Sequence, residues 1–587
     1  MTNTTDDATE QPDPDQPEQP DPDQPDQQLG QAGRPLCGPR IDRLLVVVTA
    51  IAVVVGVVLR FMPRSGLWLD EALSVNIANL PIGDIPSALR RDGHPPLFYV
   101  LLHVWNSIGG DSDWWVRAMS GVASVAMLPL AYLAGRRIGE RGAGLGARRT
   151  GLIALAVAAV MPFGIRYGAE ARMYALVMLF ATGGYLLVDD LLGARRTGRG
   201  RVAATVGAAL VSAALLWTHY WSMWLLAAVG IVALWRAWRE PDPERRLGAR
   251  LLIGALVAGG IAFLPWVSAL LYQSARTGTP WGDSFGPASV VVLTIVDFAG
   301  ARFGVAHLMT YLLVPLILLA AVASIQRSRP QSPGSGQVGD AGEFQQVVLT
   351  TRLVPRVRTE VVVIALTLSI GWATAFFSGN TFSSRYTSGI YPLFLLCIAA
   401  GVAVLRRPAV TAVVLATVVA MSIFGGIGIV RSDRSQNGDL AQAILDDAVA
   451  SSGPAVVLSC PDQLGVSLQR ELEHRNAAAL ADGADEVPVG VVIPYPGGGD
   501  PDFIDWVDYG DRNRTATPQA FLDQIASRLP ADATIYLVAS TEYRTFEGQC
   551  EQLIGLLATD REVSQTISAD DSGLDEFAGL WTFRPRP

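Results

Sequence analysis

Two adjacent carboxylates, in Trp68-Leu69-Asp70-Glu71, follow the first long apolar run of the chain. Charge held close to hydrocarbon is costly, so acids at the mouth of a membrane span read as functional. Further along the same segment comes Asp92-Gly93-His94-Pro95-Pro96-Leu97-Phe98-Tyr99, a titratable ring beside a rigid Pro-Pro. Carboxylates can take protons from hydroxyls, and an imidazole changes charge near neutral pH. An acid pair followed by His-Pro-Pro, inside one polar-to-aromatic loop, is the pattern of a membrane enzyme working at the bilayer surface.

Polar and aromatic residues recur in the shorter connections. These are Arg166 to Tyr174 with Glu170 and Arg172, Thr218-His219-Tyr220-Trp221-Ser222, Arg276 to Phe285, and Ser383-Ser384-Arg385-Tyr386-Thr387. A guanidinium can hold two phosphate oxygens at once, which makes Arg385 the first candidate for phosphate contact and Arg172 the second. Plainer roles compete. Glu170 and Arg172 could pair simply to fix their loop, and His94 could cap a surface helix. Tyr220, Trp221, Trp114 and Trp115 suit an interfacial aromatic belt, leaving His219 as either a site residue or a neighbour of that belt. Arg117 reads as an interfacial anchor. Asp111-Ser112-Asp113 reads as a solvated turn rather than a metal motif. Pro496-Gly497-Gly498-Gly499-Asp500 lacks the Lys-Ser/Thr of a phosphate loop and reads as a turn.

The elements that must position these residues are membrane helices. The chain has 587 residues, 50% hydrophobic and 17% charged, with mean hydropathy +0.32. Its apolar runs are of roughly the 17–25 residues that cross a bilayer. Spans are expected near 43–61, 115–135, 150–166, 172–192, 201–218, 221–238, 251–271, 305–325, 360–377, 388–405 and 408–430. The fold class is therefore a polytopic α-helical membrane protein of about eleven spans.

The net charge of -9 is unevenly spread, with acid concentrated in the two terminal regions and every basic residue an arginine. Arginine-bearing connections at 136–149, 195–201, 236–250, 327–358 and 406–407 place those loops in the cytoplasm by the positive-inside rule. That topology requires the short apolar stretch 95–108 to lie at the surface rather than cross. Residues 62–114 then form one extracytoplasmic loop, and Asp70 meets Arg385 on the outer face. Residues 1–40, rich in Asp, Gln and Pro, read as a disordered cytoplasmic tail. The segment 326–358 reads as a flexible linker. Residues 431–587 read as an extracytoplasmic α/β domain, with strands at 454–459 and 534–539 and helices at 439–449 and 517–529. In an oxidising compartment Cys460 and Cys550 would pair, while Cys37 and Cys397 lie elsewhere. Neither a metal, a cofactor nor a nucleic-acid partner is expected.

Asp70-Glu71, His94-Pro95-Pro96-Leu97-Phe98-Tyr99, Glu170-Ala171-Arg172-Met173-Tyr174, His219-Tyr220 and Ser384-Arg385-Tyr386 occur in an order that resembles the GT-C superfamily. Within it, the resemblance is to protein O-mannosyltransferases, the aminoarabinose transferases of lipid A, and actinobacterial members. It implies an inverting transfer of a sugar, mannose before arabinose, from a polyprenyl-phosphate donor to an envelope glycan, lipid or protein acceptor at the plasma membrane. Asp70 matches the base, with Glu71 orienting it or binding the acceptor. His94, Arg172, Glu170, His219, Arg385 and Tyr386 fall on the substrate side. Where the lipid A enzymes carry an acid and a lysine before Pro-Pro, this chain has Gly93 and His94. A lipid-glycan transporter and a non-catalytic glycan-binding scaffold are the alternatives. Transporters tend to show repeats and midplane charges, neither of which is evident here.

Overall fold

The computed structural model describes residue 2 and residues 39–587, apart from 143–144, 278–284, 301–304, 329–343, 379–381, 406, 452, 484–488, 571–572 and 587. The expected disordered tail, with Cys37, lies almost wholly outside the described residues, as does most of the loop between Arg276 and Phe285.

Each of the eleven apolar runs is helical. In lipid the backbone must satisfy its own hydrogen bonds, and a helix does so within one segment. Helix α1 (Pro39–Arg60) leads into three short helices, α2 (Leu69–Asn79), α3 (Ile85–Asp92) and α4 (Leu97–Gly109). The bundle continues with α5 (Asp113–Arg141), α6 (Ala147–Val160), α7 (Pro162–Gly168), α8 (Tyr174–Leu192), α9 (Gly198–Thr218), α10 (Ser222–Arg239), α11 (Pro243–Phe263) and α12 (Val267–Arg276). It closes with α13 (Pro287–Phe298), α14 (Val305–Val322), α15 (Arg358–Ser378), α16 (Tyr391–Val404) and α17 (Pro408–Arg431). Seven of the described helices are long and apolar enough to cross a membrane, and the pair α6 and α7, bent by 54°, makes an eighth. Proline at the first position of α7 breaks that span, because its ring cannot continue the preceding turn.

Helix α13 falls outside the expected spans; it is short, and it packs against α14, α15 and the turn Ser384–Gly389. One expectation needs correction. The supposed linker is bounded by an antiparallel hairpin, β1 (Ala323–Ser328) against β2 (Phe344–Leu349), with Ala323 opposite Leu349. The stretch 95–108 forms α4, which buries Phe98, Tyr99 and Leu102 and leaves Leu101, Val104 and Ile108 exposed.

Beyond α17 the chain folds around a five-stranded sheet. Strands β3 (Ala455–Cys460), β4 (Ile493–Pro494), β5 (Thr534–Ala539), β6 (Arg561–Ile567) and β7 (Gly579–Pro585) run in the order β4-β3-β5-β7-β6. The runs β3 and β5, almost wholly apolar and buried, pair in parallel from Ala455↔Thr534 to Cys460↔Ala539. Helices α18 (Asn437–Ser451), α19 (Gln463–Ala481), α20 (Tyr509–Arg514), α21 (Pro518–Ile525) and α22 (Gln549–Asp560) cover it. The disulfide Cys460–Cys550 ties the end of β3 to α22.

The arginine-bearing connections gather at one end of the bundle. Arg137 bridges Asp189 (3.0 Å) and Asp190 (2.6 Å), Arg141 reaches Glu360 at 2.6 Å, and Arg149 donates to the Leu405 carbonyl at 2.8 Å. The sheet domain sits on the other end, docked by polar contacts. Arg470 reaches Asp113 at 2.9 Å, Asn76 donates to the Asp502 carbonyl at 3.0 Å, and Arg276 pairs with Asp508 at 3.1 Å.

Beneath that docking surface lies a buried charge cluster. Glu71 takes a two-pronged contact from Arg117, at 2.7 and 2.5 Å, and the Ala171 N–H at 2.8 Å. Arg434, three residues past α17, inserts between Glu170 (2.9 Å) and Glu71 (3.7 Å). Removing one member of such a cluster leaves a charge buried and unpaired, at a cost of about 3–5 kcal/mol. Arg434→Met is therefore expected to lower the apparent unfolding midpoint of the purified protein sharply in a thermal scan. Adding Glu170→Gln should restore part of it; no recovery in the double variant would refute this charge accounting.

Candidate functional site

Asp70 lies in the first turn of α2, where the helix leaves the Ser65-Gly66 bend. Its Oδ2 accepts from Arg385 Nη1 at 2.8 Å and lies 3.6 Å from Arg172 Nη2. Arg385 arrives on the short 3-10 helical segment Ser384–Gly389 between α15 and α16. Burial alone would lift the Asp70 carboxyl, but the facing Arg172 and Arg385 guanidiniums outweigh it and hold it below its usual range. The carboxylate is thus kept ionised in a part-buried setting.

Arg172 is itself fixed from three sides. It donates through Nη1 to the Ser74 hydroxyl (2.9 Å) and the Asp70 carbonyl (3.2 Å), and Nη2 lies 3.3 Å from His94 Nε2. His94 Nδ1 lies 2.7 Å from Asp92 Oδ2, which also accepts from the Tyr99 hydroxyl at 3.1 Å. A ring that donates through Nδ1 to the carboxylate presents an Nε2 lone pair to Arg172. His94 therefore sits between Asp92 and Arg172 and orients the arginine.

These side chains line a cavity of about 470 Å³. Its polar end holds Asp70, His94, Arg172 and Arg385; Trp224, Leu270, Leu271 and Ala375 form an apolar wall. Leu271 is 64% exposed, so that wall opens sideways on the bundle surface. His219 and Tyr386 pack in a tilted arrangement at the boundary between the two parts, with ring centroids 5.6 Å apart. His219 Nδ1 accepts from the Trp221 N–H at 3.2 Å. Burial, helped by His94, Arg172 and Arg385, holds its pKa well below the ordinary value. It is therefore a neutral wall and not a phosphate-binding cation.

Among the described residues, three buried polar atoms at this cavity have no hydrogen-bond partner: Arg385 Nε, Arg172 Nε and the Tyr174 hydroxyl. Buried donors left unsatisfied are rare and call for a ligand. At the polar end Arg172 and Arg385 face the Asp70 carboxylate, with Asp92 behind His94, and the unpartnered Nε donors of the two arginines suit an anion beside an apolar tail. Among the described residues, no group of three or more His, Cys, Asp or Glu is arranged to hold a metal.

Six of the candidates from the sequence, Asp70, His94, Arg172, His219, Arg385 and Tyr386, share this cavity. Glu71 and Glu170 do not. On a helix, adjacent side chains diverge by about 100°, and Glu71 turns away from the cavity into the Arg117 clamp. Glu170 pairs with Arg434 and not with Arg172. Arg117 is a buried partner rather than an interfacial anchor. Sequence reasoning passed over Asp92 and Tyr174, although both lay inside motifs already singled out. It had no means of finding Trp506, which the sheet domain contributes to the cavity.

No protein-family model and no curated protein matches the chain. Solved structures do. ArnT from Cupriavidus metallidurans bound to undecaprenyl phosphate is 13% identical over 92% of this chain and 97% of its own, with a TM-score of 0.51. Its apo state gives 13% identity over 92% and 98%, at 0.47. The Archaeoglobus fulgidus oligosaccharyltransferase complex with Zn and sulfate gives 12% over 91% and 72%, at 0.43. The chain has the GT-C fold. That likeness is one of fold alone and identifies no actinobacterial branch.

The start of α2 is also touched by the sheet domain. The Glu576 carboxylate accepts from the Ser467 hydroxyl at 2.7 Å and faces the Leu69 N–H. Burial pushes its pKa up to about 7 from an ordinary 4.5, against the pull of Ser435, Ser467 and Leu69. Between those values the folded chain keeps a proton that the unfolded chain has released. The stabilisation is therefore complete below the ordinary value and is lost as pH rises through the folded one. The unfolding midpoint should fall from about pH 5 to about pH 8, and Glu576→Gln should flatten that dependence. Parallel profiles for the two proteins would rule out Glu576 as its source.

Proposed function

We propose that this chain is an inverting glycosyltransferase, moving a sugar from a polyprenyl-phosphate donor onto an acceptor hydroxyl. The observation that carries the reading is the pairing of Asp70 with Arg385 at the polar end of a cavity whose other wall is apolar and laterally open. That shape suits a phosphate headed by a sugar and trailed by a lipid. The likeness to ArnT, whose structure holds undecaprenyl phosphate, supports the donor class. Mannose is the proposed sugar, with arabinose second, and the acceptor belongs to the cell envelope.

The acceptor oxygen attacks the anomeric carbon from the side opposite the phosphate. The carbon–oxygen bond to phosphate breaks with its electron pair going to the lipid phosphate, and the acceptor proton passes to Asp70. Arg172 and Arg385 hold the departing phosphate, where fixed charge in a site of low dielectric counts most. Asp70 is a carboxylate of low basicity, so it takes the proton late, once the new bond has made the hydroxyl acidic. His94 and Asp92 position Arg172; Glu71 positions α2.

Residues 41–430 are proposed as the catalytic membrane domain and 431–587 as an extracytoplasmic one, with the amino terminus cytoplasmic in the plasma membrane. Arginine-bearing connections at one end of the bundle and a disulfide in the domain at the other support that orientation.

The test is lipid-phosphate release by the purified protein, given synthetic polyprenyl-phosphate mannose or arabinose and an envelope extract as acceptor. Asp70→Asn should lower turnover by about 10²–10⁴-fold, the usual contribution of a positioned base, while donor binding persists. Arg385→Ala should weaken donor binding itself. Unchanged turnover in both variants would reject the assignment.

A further inference from the structure

A second cavity, of about 860 Å³, lies between helices α2 and α3 and the sheet domain. Leu73 and Asp92 line both this cleft and the cavity that holds Asp70, so the two spaces adjoin. One wall is apolar, with Leu73, Ile77 and Phe503; the polar lining includes Asp84, Asp462, Asp500 and Asn513.

Asn513 supplies the decisive detail. The residue is 1% exposed, yet neither its carboxamide oxygen nor its nitrogen has a hydrogen-bond partner among the described residues. A buried carboxamide left without a donor or an acceptor is destabilising unless something else supplies both. A hydroxyl does, since it gives one hydrogen and accepts through its oxygen. Vicinal hydroxyls on a sugar ring would meet both ends of the amide, while the ring's C–H face would rest on Phe503.

Part of the acidic charge along the cleft is already matched within the protein. Asp505 is already faced by Arg91 at 3.6 Å and Arg512 at 3.5 Å. Asp462 accepts the Tyr509 hydroxyl at 2.5 Å, and burial pushes its pKa up to about 6. At the lip, a Cβ on Gly497 or Gly499 would meet nothing within 4 Å, so the entrance is open.

We propose that this cleft is the acceptor site, and that the acceptor is a neutral oligosaccharide chain, gripped by Asn513 and neighbouring aspartates and led past Asp92 toward Asp70. The proposal rests on the transfer reading above for the destination of the chain end, but the cleft and its amide are independent of it.

The experiment uses the full chain, purified in detergent, titrated calorimetrically with α-mannotetraose, arabinotetraose and tetra-arginine. A fluorescent polyprenyl phosphate is titrated in the same preparations. At least one tetrasaccharide should bind, and Asn513→Ala should weaken it by about tenfold or more, the loss of one good polar contact. Gly497→Trp fills the open lip without disturbing the buried amide and should abolish binding, which keeps the test sound should Asn513→Ala fold poorly. Tetra-arginine binding in place of both sugars overturns the proposal in favour of a cationic peptide. Sugar affinity unchanged by both variants also overturns it. A chain that binds the lipid phosphate but neither tetrasaccharide refutes the cleft assignment alone. One that binds a tetrasaccharide but no lipid phosphate refutes the transfer reading alone.

Discussion

The salt bridge between Glu71 and Arg117 sets the rotation of α2, and the geometry of the cavity follows from that rotation. Asp70 and Glu71 are neighbours on one helix and cannot point the same way. Glu71 is drawn into a buried contact with Arg117, whose guanidinium also reaches the Ser65 and Gly66 carbonyls at 2.6 and 2.9 Å. With that face fixed, Asp70 is turned into the cavity, where Arg385 meets it. A buried ion pair seldom adds much net stability over a well-packed apolar pair. Its usefulness here is directional: it specifies one angle of α2 where an apolar contact would tolerate several.

The same clamp couples distant parts of the chain. Glu71 accepts the Ala171 N–H, so the α7–α8 connection that carries Arg172 is registered against α2. Arg434 joins the cluster from beyond α17, at the point where the chain enters the sheet domain. Glu576 approaches the α2 start from within that domain. The position of Asp70 thus depends on three stretches of chain far apart in sequence, all converging on one helical turn.

Much of this was legible in the sequence, and what was not has a physical reason. Apolar length is a local property, so the eleven runs could be read as helices; α13 escaped because twelve residues are too few to be told from a buried loop by composition. Strands β3 and β5 are short buried runs and readable as such. Strands β6 and β7 are mixed in polarity, and β6 is largely exposed, so neither carries a clear alternation. At the site, residue type separated the cavity from the bulk of the protein: Asp70, His94, Arg172 and Arg385 are costly side chains in an apolar chain. Residue type could not separate Asp70 from Glu71, nor Arg172 from Arg117. Those choices depend on which partner arrives from elsewhere in the fold, and partners such as Arg434 and Trp506 are not encoded near the residues they meet.

The grip on Asp70 bears on how the proposed reaction would be timed. In the structure Arg385 Nη1 donates to the Asp70 carboxylate and Arg172 Nη2 lies 3.6 Å from it, while the Nε of each has no partner among the described residues. Each guanidinium can therefore donate its Nε–H to a phosphate oxygen without first releasing the aspartate. Once Asp70 takes the acceptor proton its charge is gone, and the Coulomb term that drew both arginines to it falls away. At that moment the lipid phosphate gains negative charge as its bond to the sugar breaks. The arginines' attraction shifts from the carboxylate to the phosphate, in step with the chemistry and without any large movement. A site built from one carboxylate and two shared guanidiniums would thus bind the leaving group more tightly in the transition state than in the ground state, which is the condition for acceleration.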